Sequence, residues 1–367
     1  MERDTLSLTQ LTALLFGALI GPVTELLPGT AVRGGVLGLM WVTAAVLLMA
    51  CIGLWVGDLA RGGGGLAGGL ESVFGGVAGK ALLLIYIVWF EFLFILRIRL
   101  SAQRLLGGGS RDGAVWFFLF VLGGMALWMA HGTLGALGRT AQLFFLALML
   151  SVGGVLFLSL SQMERGNLLT VWEWSLEGVG TLVWPGVQAM GYGLFAGFLW
   201  EPPKHKSFLR PWLLWCLGAA VTLIVVQIVI MGCFGARLTE SMQVPFFHLA
   251  KSAGIEGAFQ RTESLIAAIW TFSDLLLLTG ILWGMRRIGE ILNPGLSSRT
   301  IMTVAVLGGV TIALAAFGGK VSAIQMSQTV GAAGNLFLGA GVPLAAVLIL
   351  KVKKHSEKNP RKSEKSA

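Results

Sequence analysis

The stretch GALIGPVTELLPG, residues 17–29, sits inside the first long apolar run of the chain and sets a Gly-Pro pair and a carboxylate there. A proline has no N–H to donate and clashes with the preceding turn of a helix. An ionised carboxylate at the bilayer centre costs roughly 2.5–3.5 kcal/mol on insertion scales. Backbone groups freed at membrane depth persist only where protein buries them or a wet cavity meets them. The stretch therefore predicts a helix broken at Gly21-Pro22, with Glu25 towards its end.

Working outward, apolar runs of spanning length recur along all 367 residues, of which 55% are hydrophobic and 12% charged. Ten spans are predicted, near 8–28, 35–57, 81–103, 114–131, 140–160, 181–200, 212–235, 263–285, 300–317 and 334–350. The expected organisation is one transmembrane domain, 1–350, and a basic tail, 351–367, with seven Lys/Arg against two Glu. The tail reads as disordered, cytoplasmic and facing anionic lipid. An even number of spans then places the N-terminus in the cytoplasm too. MERDTLSLTQ has no basic start or cleavage site, so the first span is expected to be retained. The arginines after span 3 (Arg97, Arg99, Arg104, Arg111) run against this orientation.

Two connections, 161–180 and 236–262, mix aromatics with charges as interfacial helices do, and a short helix is expected at 66–76. The GGVAGK run is no phosphate loop, because Phe74 and Ala81 stand where Gly and Ser/Thr are needed. Cys51, Cys216 and Cys233 fall inside spans and read as packing residues. The four His are scattered over loops and tail, and no nucleophile-and-base set, metal set or nucleic-acid signature appears. No enzyme and no cofactor is expected.

Cutting the ten spans into halves, about 1–160 and 181–350, aligns span 1 with span 6. Gly17, Gly21 and Pro22 match Pro185, Gly186, Gly191 and Gly193. Span 3 aligns with span 8: YIVWFEFLF (86–94) and AIWTFSDLL (268–276) each place a carboxylate after a Trp. Five spans per half inverts the second half, and paired breaks in such repeats mark midplane binding sites. The predicted site takes Gly17, Gly21, Pro22 and Thr24 from span 1, the freed amides receiving a ligand carboxylate. Gln188, Gly191 and Tyr192 join from span 6. Glu91 and Asp274 face the cavity from spans 3 and 8, beside Tyr86 and Trp270, to hold an ammonium or a proton, and Glu25 ranks below them. Each also has a structural reading: a relieved kink, an internal ion pair or a helix–helix hydrogen bond.

LSLTQLTALLFGALIGPVTELLP (6–28) resembles the opening span of the B subunits of spore germination receptors, with their I-S-x-x-Q-L start, mid-span I-G and closing L-P. GKALLLIYIVWFEFLFILR (79–97), GNLLTVW (166–172) and QRTESLIAAIW (260–270) extend the resemblance, Thr170 standing where the family has Pro. That family is similar to amino-acid permeases of the amino acid–polyamine–organocation (APC) superfamily. The resemblance implies an all-α membrane protein of ten helices in a LeuT-type five-plus-five inverted repeat, with helices 1 and 6 broken. It implies a subunit in the spore inner membrane that binds a nutrient such as an amino acid and acts with A and C partner subunits. The alternative is a proton- or cation-coupled amino-acid permease.

Overall fold

Ser7 starts the first helix. Its hydroxyl accepts from the Gln10 amide at 3.2 Å while the Gln10 side chain accepts from the Ser7 amide at 2.9 Å, a reciprocal capping box. In the computed structural model, which describes residues 5–59, 64–107, 114–201, 207–253, 262–317 and 320–358, every regular element is helical. α1 (Leu8–Thr30) is followed by α2 (Gly35–Leu59), the short α3 (Gly65–Phe74) and α4 (Gly76–Gly107). Next come α5 (Val115–Ala130), α6 (Leu134–Ser159), the single-turn α7 (Arg165–Thr170) and α8 (Leu176–Met190), which tightens into a 3-10 helix over Gly191–Phe198. The second half holds α9 (Leu209–Ser241), α10 (Pro245–Ser252), α11 (Thr262–Leu292) and α12 (Ser298–Ala316). The last span is α13 (Lys320–Met326), α14 (Ala332–Leu336) and α15 (Val342–Lys358), joined by π-helical turns at Ser327–Gly331 and Phe337–Gly341.

Eight of these segments are long and apolar enough to cross a membrane. Two predicted spans are shorter: α5 has 16 residues, and α8 has 15 before the 3-10 segment takes over. Large apolar side chains such as Trp128, Leu143, Phe157 and Phe337 stand exposed on the outside of the bundle. Water would penalise such a surface, and acyl chains suit it. The chain is an all-helical, multi-pass membrane protein. We call the end of the bundle holding Thr30 the upper end and the end holding Leu59 the lower.

Three expectations change. α4 continues past residue 103 to Gly107, so Arg104 joins Arg97 and Arg99 within the helix; Arg97 is 3% exposed, and Arg99 donates to the Phe317 carbonyl at 2.8 Å. These arginines are structural charges of the bundle, which removes three of the four residues that opposed the orientation rule; Arg111 lies outside the described residues. The tail is helical as far as Lys358; residues 359–367 lie outside the described residues. α3 is docked rather than interfacial, since Leu66, Ala67, Leu70 and Val73 are buried against its neighbours.

α9 bends where Gly235 adopts φ 72°, a conformation that costs other residues strain, and Asn167 fills the bend, donating to the Gly232 carbonyl at 3.2 Å. At the lower end the Glu201 carboxylate accepts from the Gly64 amide at 3.0 Å and lies 3.7 Å from Arg287. Above it, Tyr86, Phe90, Phe195 and Phe198 pack edge-on and tilted at centroid distances of 5.0–6.5 Å. These rings pack together in the lower half of the bundle.

Candidate functional site

The predicted break at Gly21-Pro22 does not open α1: the helix runs unbroken through Pro22. Pro22 cannot donate, which orphans the Ala18 carbonyl four residues earlier. Ser273 of α11 repairs the ladder. Its hydroxyl donates to the Ala18 carbonyl at 3.2 Å and accepts from the Gly21 amide at 2.9 Å. Gly21 is required for that approach, since a Cβ there would stand 2.7 Å from Ser273 Oγ. Thr24 is also occupied: its hydroxyl bonds back to the Ile20 carbonyl at 2.7 Å and accepts from Trp270 Nε1 at 3.0 Å. The backbone of α1 thus has no freed amide to offer a ligand at this point.

What α11 delivers beside Ser273 is Asp274, 2% exposed and surrounded by two arginines of α4. Arg97 bonds Oδ1 through Nε at 2.9 Å and also through Nη2. Arg104, seven positions on and so on the same helix face, bonds Oδ1 at 3.0 Å and Oδ2 at 2.7 Å through Nη2. Its Nη1 lies 3.2 Å from Glu25 Oε2, close enough for an ion pair but not aligned as a hydrogen bond. The Arg104 guanidinium also stands 5.2 Å over the Trp270 ring. Two guanidiniums and two carboxylates make a formally neutral cluster, the form in which charges survive at low dielectric.

The cluster borders a cavity of 350 Å³ in the upper half of the bundle. Pro22, Glu25 and Leu26 line it from α1, and Arg97 and Leu100 from α4. Gln188, Ala189 and Tyr192 line it from α8 and its 3-10 continuation, Gln243 and Val244 from the link before α10, and Ile324 and Ser327 from the last span. Gln188 donates to Ser327 at 3.1 Å, which ties two walls together. Arg97 Nη1 donates to nothing among the described residues, so one edge of this guanidinium remains available.

No family model matches the chain, and no curated protein matches it. Among solved structures it is similar to the manganese transporter of Eremococcus coleocola, crystallised in complex with an aromatic bis-isothiourea substituted compound. Identity is 12% over 93% of this chain and 76% of that one, with a TM-score of 0.48. Among the described residues of this chain no three His, Cys, Asp or Glu side chains come together as a metal site, and guanidiniums already hold Asp274 and Glu25.

Of the predicted site residues, the structure brings Pro22, Glu25, Gln188 and Tyr192 to the cavity wall and sets Gly21, Thr24, Trp270 and Asp274 directly behind it. Four lie elsewhere. Gly17 packs against Leu276, where a Cβ would come within 2.5 Å of a methyl. Gly191 marks the switch from α8 to the 3-10 segment and seats the Asn335 side chain. Tyr86 is fully buried, its hydroxyl donating to the Leu338 carbonyl at 2.6 Å in the second π turn. Glu91 points away from the cavity at α12, where a Cβ on Gly309 would meet its Oε1 at 2.9 Å, and its Oε2 is buried without a hydrogen-bond partner. Arg97, Arg104, Ser273 and Ser327 were not predicted as site residues. The only signal in sequence was the presence of arginines seven apart on a helix face next to an apolar span.

Proposed function

We propose that the chain is the membrane subunit of a spore nutrient germinant receptor, binding a small nutrient amino acid in the 350 Å³ cavity and signalling to A and C partner subunits in the spore inner membrane. The observation that carries the binding half is the neutral Arg97–Asp274–Arg104–Glu25 cluster at the wall of that cavity. Its volume falls in the range of about 300–1,000 Å³ usual for small-molecule sites. The receptor half is supported by the sequence motifs, from the Ser7–Gln10 start of α1 to GNLLTVW.

An amino acid carries both charges of the cluster. Its carboxylate suits the open edge of Arg97, and its ammonium suits Glu25, which among the described residues is paired with the imperfectly aligned Arg104. A ligand that takes Glu25 frees Arg104 to close wholly on Asp274, drawing α1 and α4 into a different relation. Such a ligand shifts a conformational equilibrium only by its differential affinity, about 1.4 kcal/mol for each factor of ten. The second reading, a proton-coupled permease, draws on Glu91: a buried carboxyl oxygen with no partner fits a group that carries a proton through the membrane. Purified protein in liposomes separates the two. A receptor binds amino acid without accumulating it on an imposed pH gradient, whereas accumulation that is lost in Glu91→Gln would replace the receptor reading with the permease.

A further inference from the structure

We propose that the outward side of α4 and α12 around Glu91 receives a transmembrane helix of a partner protein, one that carries a hydrogen-bond donor such as lysine at mid-depth. The reading above gives the chain partners and no surface for them; this inference adds the surface, well apart from the nutrient cavity. Of the three acids predicted within the spans, arginines hold Glu25 and Asp274. Glu91 has no such support. Among the described residues neither of its carboxyl oxygens has a hydrogen bond or an ion pair, and Oε2 is buried. It lies halfway along the 32 residues of α4, far from either end of that helix. A carboxyl group left so at lipid depth is costly, and intramembrane acids characteristically meet a partner.

The surroundings of Glu91 are built for a close approach. Gly309 of α12 makes room for the carboxyl group, since a Cβ there would meet Oε1 at 2.9 Å, and Gly308 leaves the same oxygen uncovered, a Cβ there standing 3.9 Å from it. On α4, Leu84, Val88 and Glu91 follow at intervals of four and three and so share a face; on α12, Val304, Gly308 and Ile312 follow at intervals of four. Leu84, Val88, Val304 and Ile312 are all exposed, Val88 to 70%, while Glu91 is half-buried. Because α4 and α12 pack together and Glu91 meets Gly308, the two faces adjoin as one apolar strip with a carboxyl group at its middle. Small residues let helix backbones approach closely, and polar groups across such contacts hydrogen-bond. Acyl chains cover valine and leucine equally well, but they offer nothing to a carboxyl group. An ammonium or amide N–H on a neighbouring helix supplies what is missing, and with an ammonium the bond is charge-assisted.

The test uses the purified full chain in liposomes and a synthetic single-span peptide of leucine and alanine with one central lysine, beside a twin that has leucine at that place. Energy transfer between labels on protein and peptide reads the binding. The wild type should bind the lysine peptide about tenfold tighter than its twin, the usual worth of a hydrogen bond between membrane helices. Glu91→Leu removes the acceptor, and Gly308→Leu covers it while leaving it in place. In each variant the ratio should fall to within about threefold. The melting temperature of each protein in detergent reports folding. Equal binding of the two peptides by the wild type, or a preference that survives in either folded variant, would overturn the proposal. Wild-type chains that associate with one another through Glu91 would overturn it too, in favour of a second copy of this chain. No nutrient enters the assay, so each of these results leaves the amino-acid reading to the uptake experiment above.

Discussion

At the scale of single residues, Pro22 and Ser273 form one unit although they lie in different helices. Ser273→Ala leaves the Ala18 carbonyl without the donor that stands in for Pro22 and removes a side-chain acceptor from the Gly21 amide, at a cost of about 1–3 kcal/mol. Pro22→Ala restores a donor to Ala18, so the Ser273→Ala cost should fall in that background, and chemical or thermal unfolding of the four proteins in detergent measures the coupling. Equal costs in both backgrounds would dissociate the serine from the proline. Asp274→Asn strands the buried Arg97 guanidinium and leaves the partly buried Arg104 with Glu25 beside it, and it should destabilise by about 3–5 kcal/mol, more than Glu25→Gln, because the Glu25 side chain is 23% exposed and among the described residues faces Arg104. The anomaly at Gly21-Pro22 was legible in the sequence. Its resolution was not, because the hydroxyl that repairs the ladder stands 252 positions away from Gly21 and nothing local announces it.

At the scale of elements, the order of helices follows from hydropathy, while their ends and irregularities follow from contacts. α4 shows why. Arg97 and Arg99 after an apolar run read as an exit from the membrane, yet the helix continues because Asp274 and the Phe317 carbonyl receive those charges within the bundle. The break expected in span 6 appears as a change of helix type at Gly191, and the last span carries two π turns that no periodicity foretold. Trp184 donates to the Gln328 carbonyl in the first π turn and Tyr86 to the Leu338 carbonyl in the second, so each irregularity is held by a side chain of another helix. Tyr86→Phe should therefore loosen the lower part of that span, and amide hydrogen exchange should rise around Leu338–Val342 with little change in α1. The bend in α9 gives a second prediction at this scale. Gly235→Ala places a Cβ at positive φ and 2.9 Å from the Asn167 side chain, and a loss of about 1–3 kcal/mol is expected in thermal unfolding.

At the scale of the whole molecule, a polar cavity stands in the upper half and a small apolar space of 40 Å³ lies below it, with Tyr192 lining both. The central claim is that the cavity recognises both charges of an amino acid through Arg97 and Glu25. The most direct test is the thermal unfolding of the purified full chain against increasing concentrations of alanine, and against ethylamine and propionate, which each keep one of its charged groups. Alanine should raise the melting temperature as its concentration grows, with about 2.7 kcal/mol of stabilisation at a hundred times its Kd. Ethylamine and propionate should do so only at far higher concentration, and Glu25→Gln should bring alanine to the level of propionate. A melting temperature that alanine leaves unmoved, or that propionate alone raises as far as alanine does, would contradict the account.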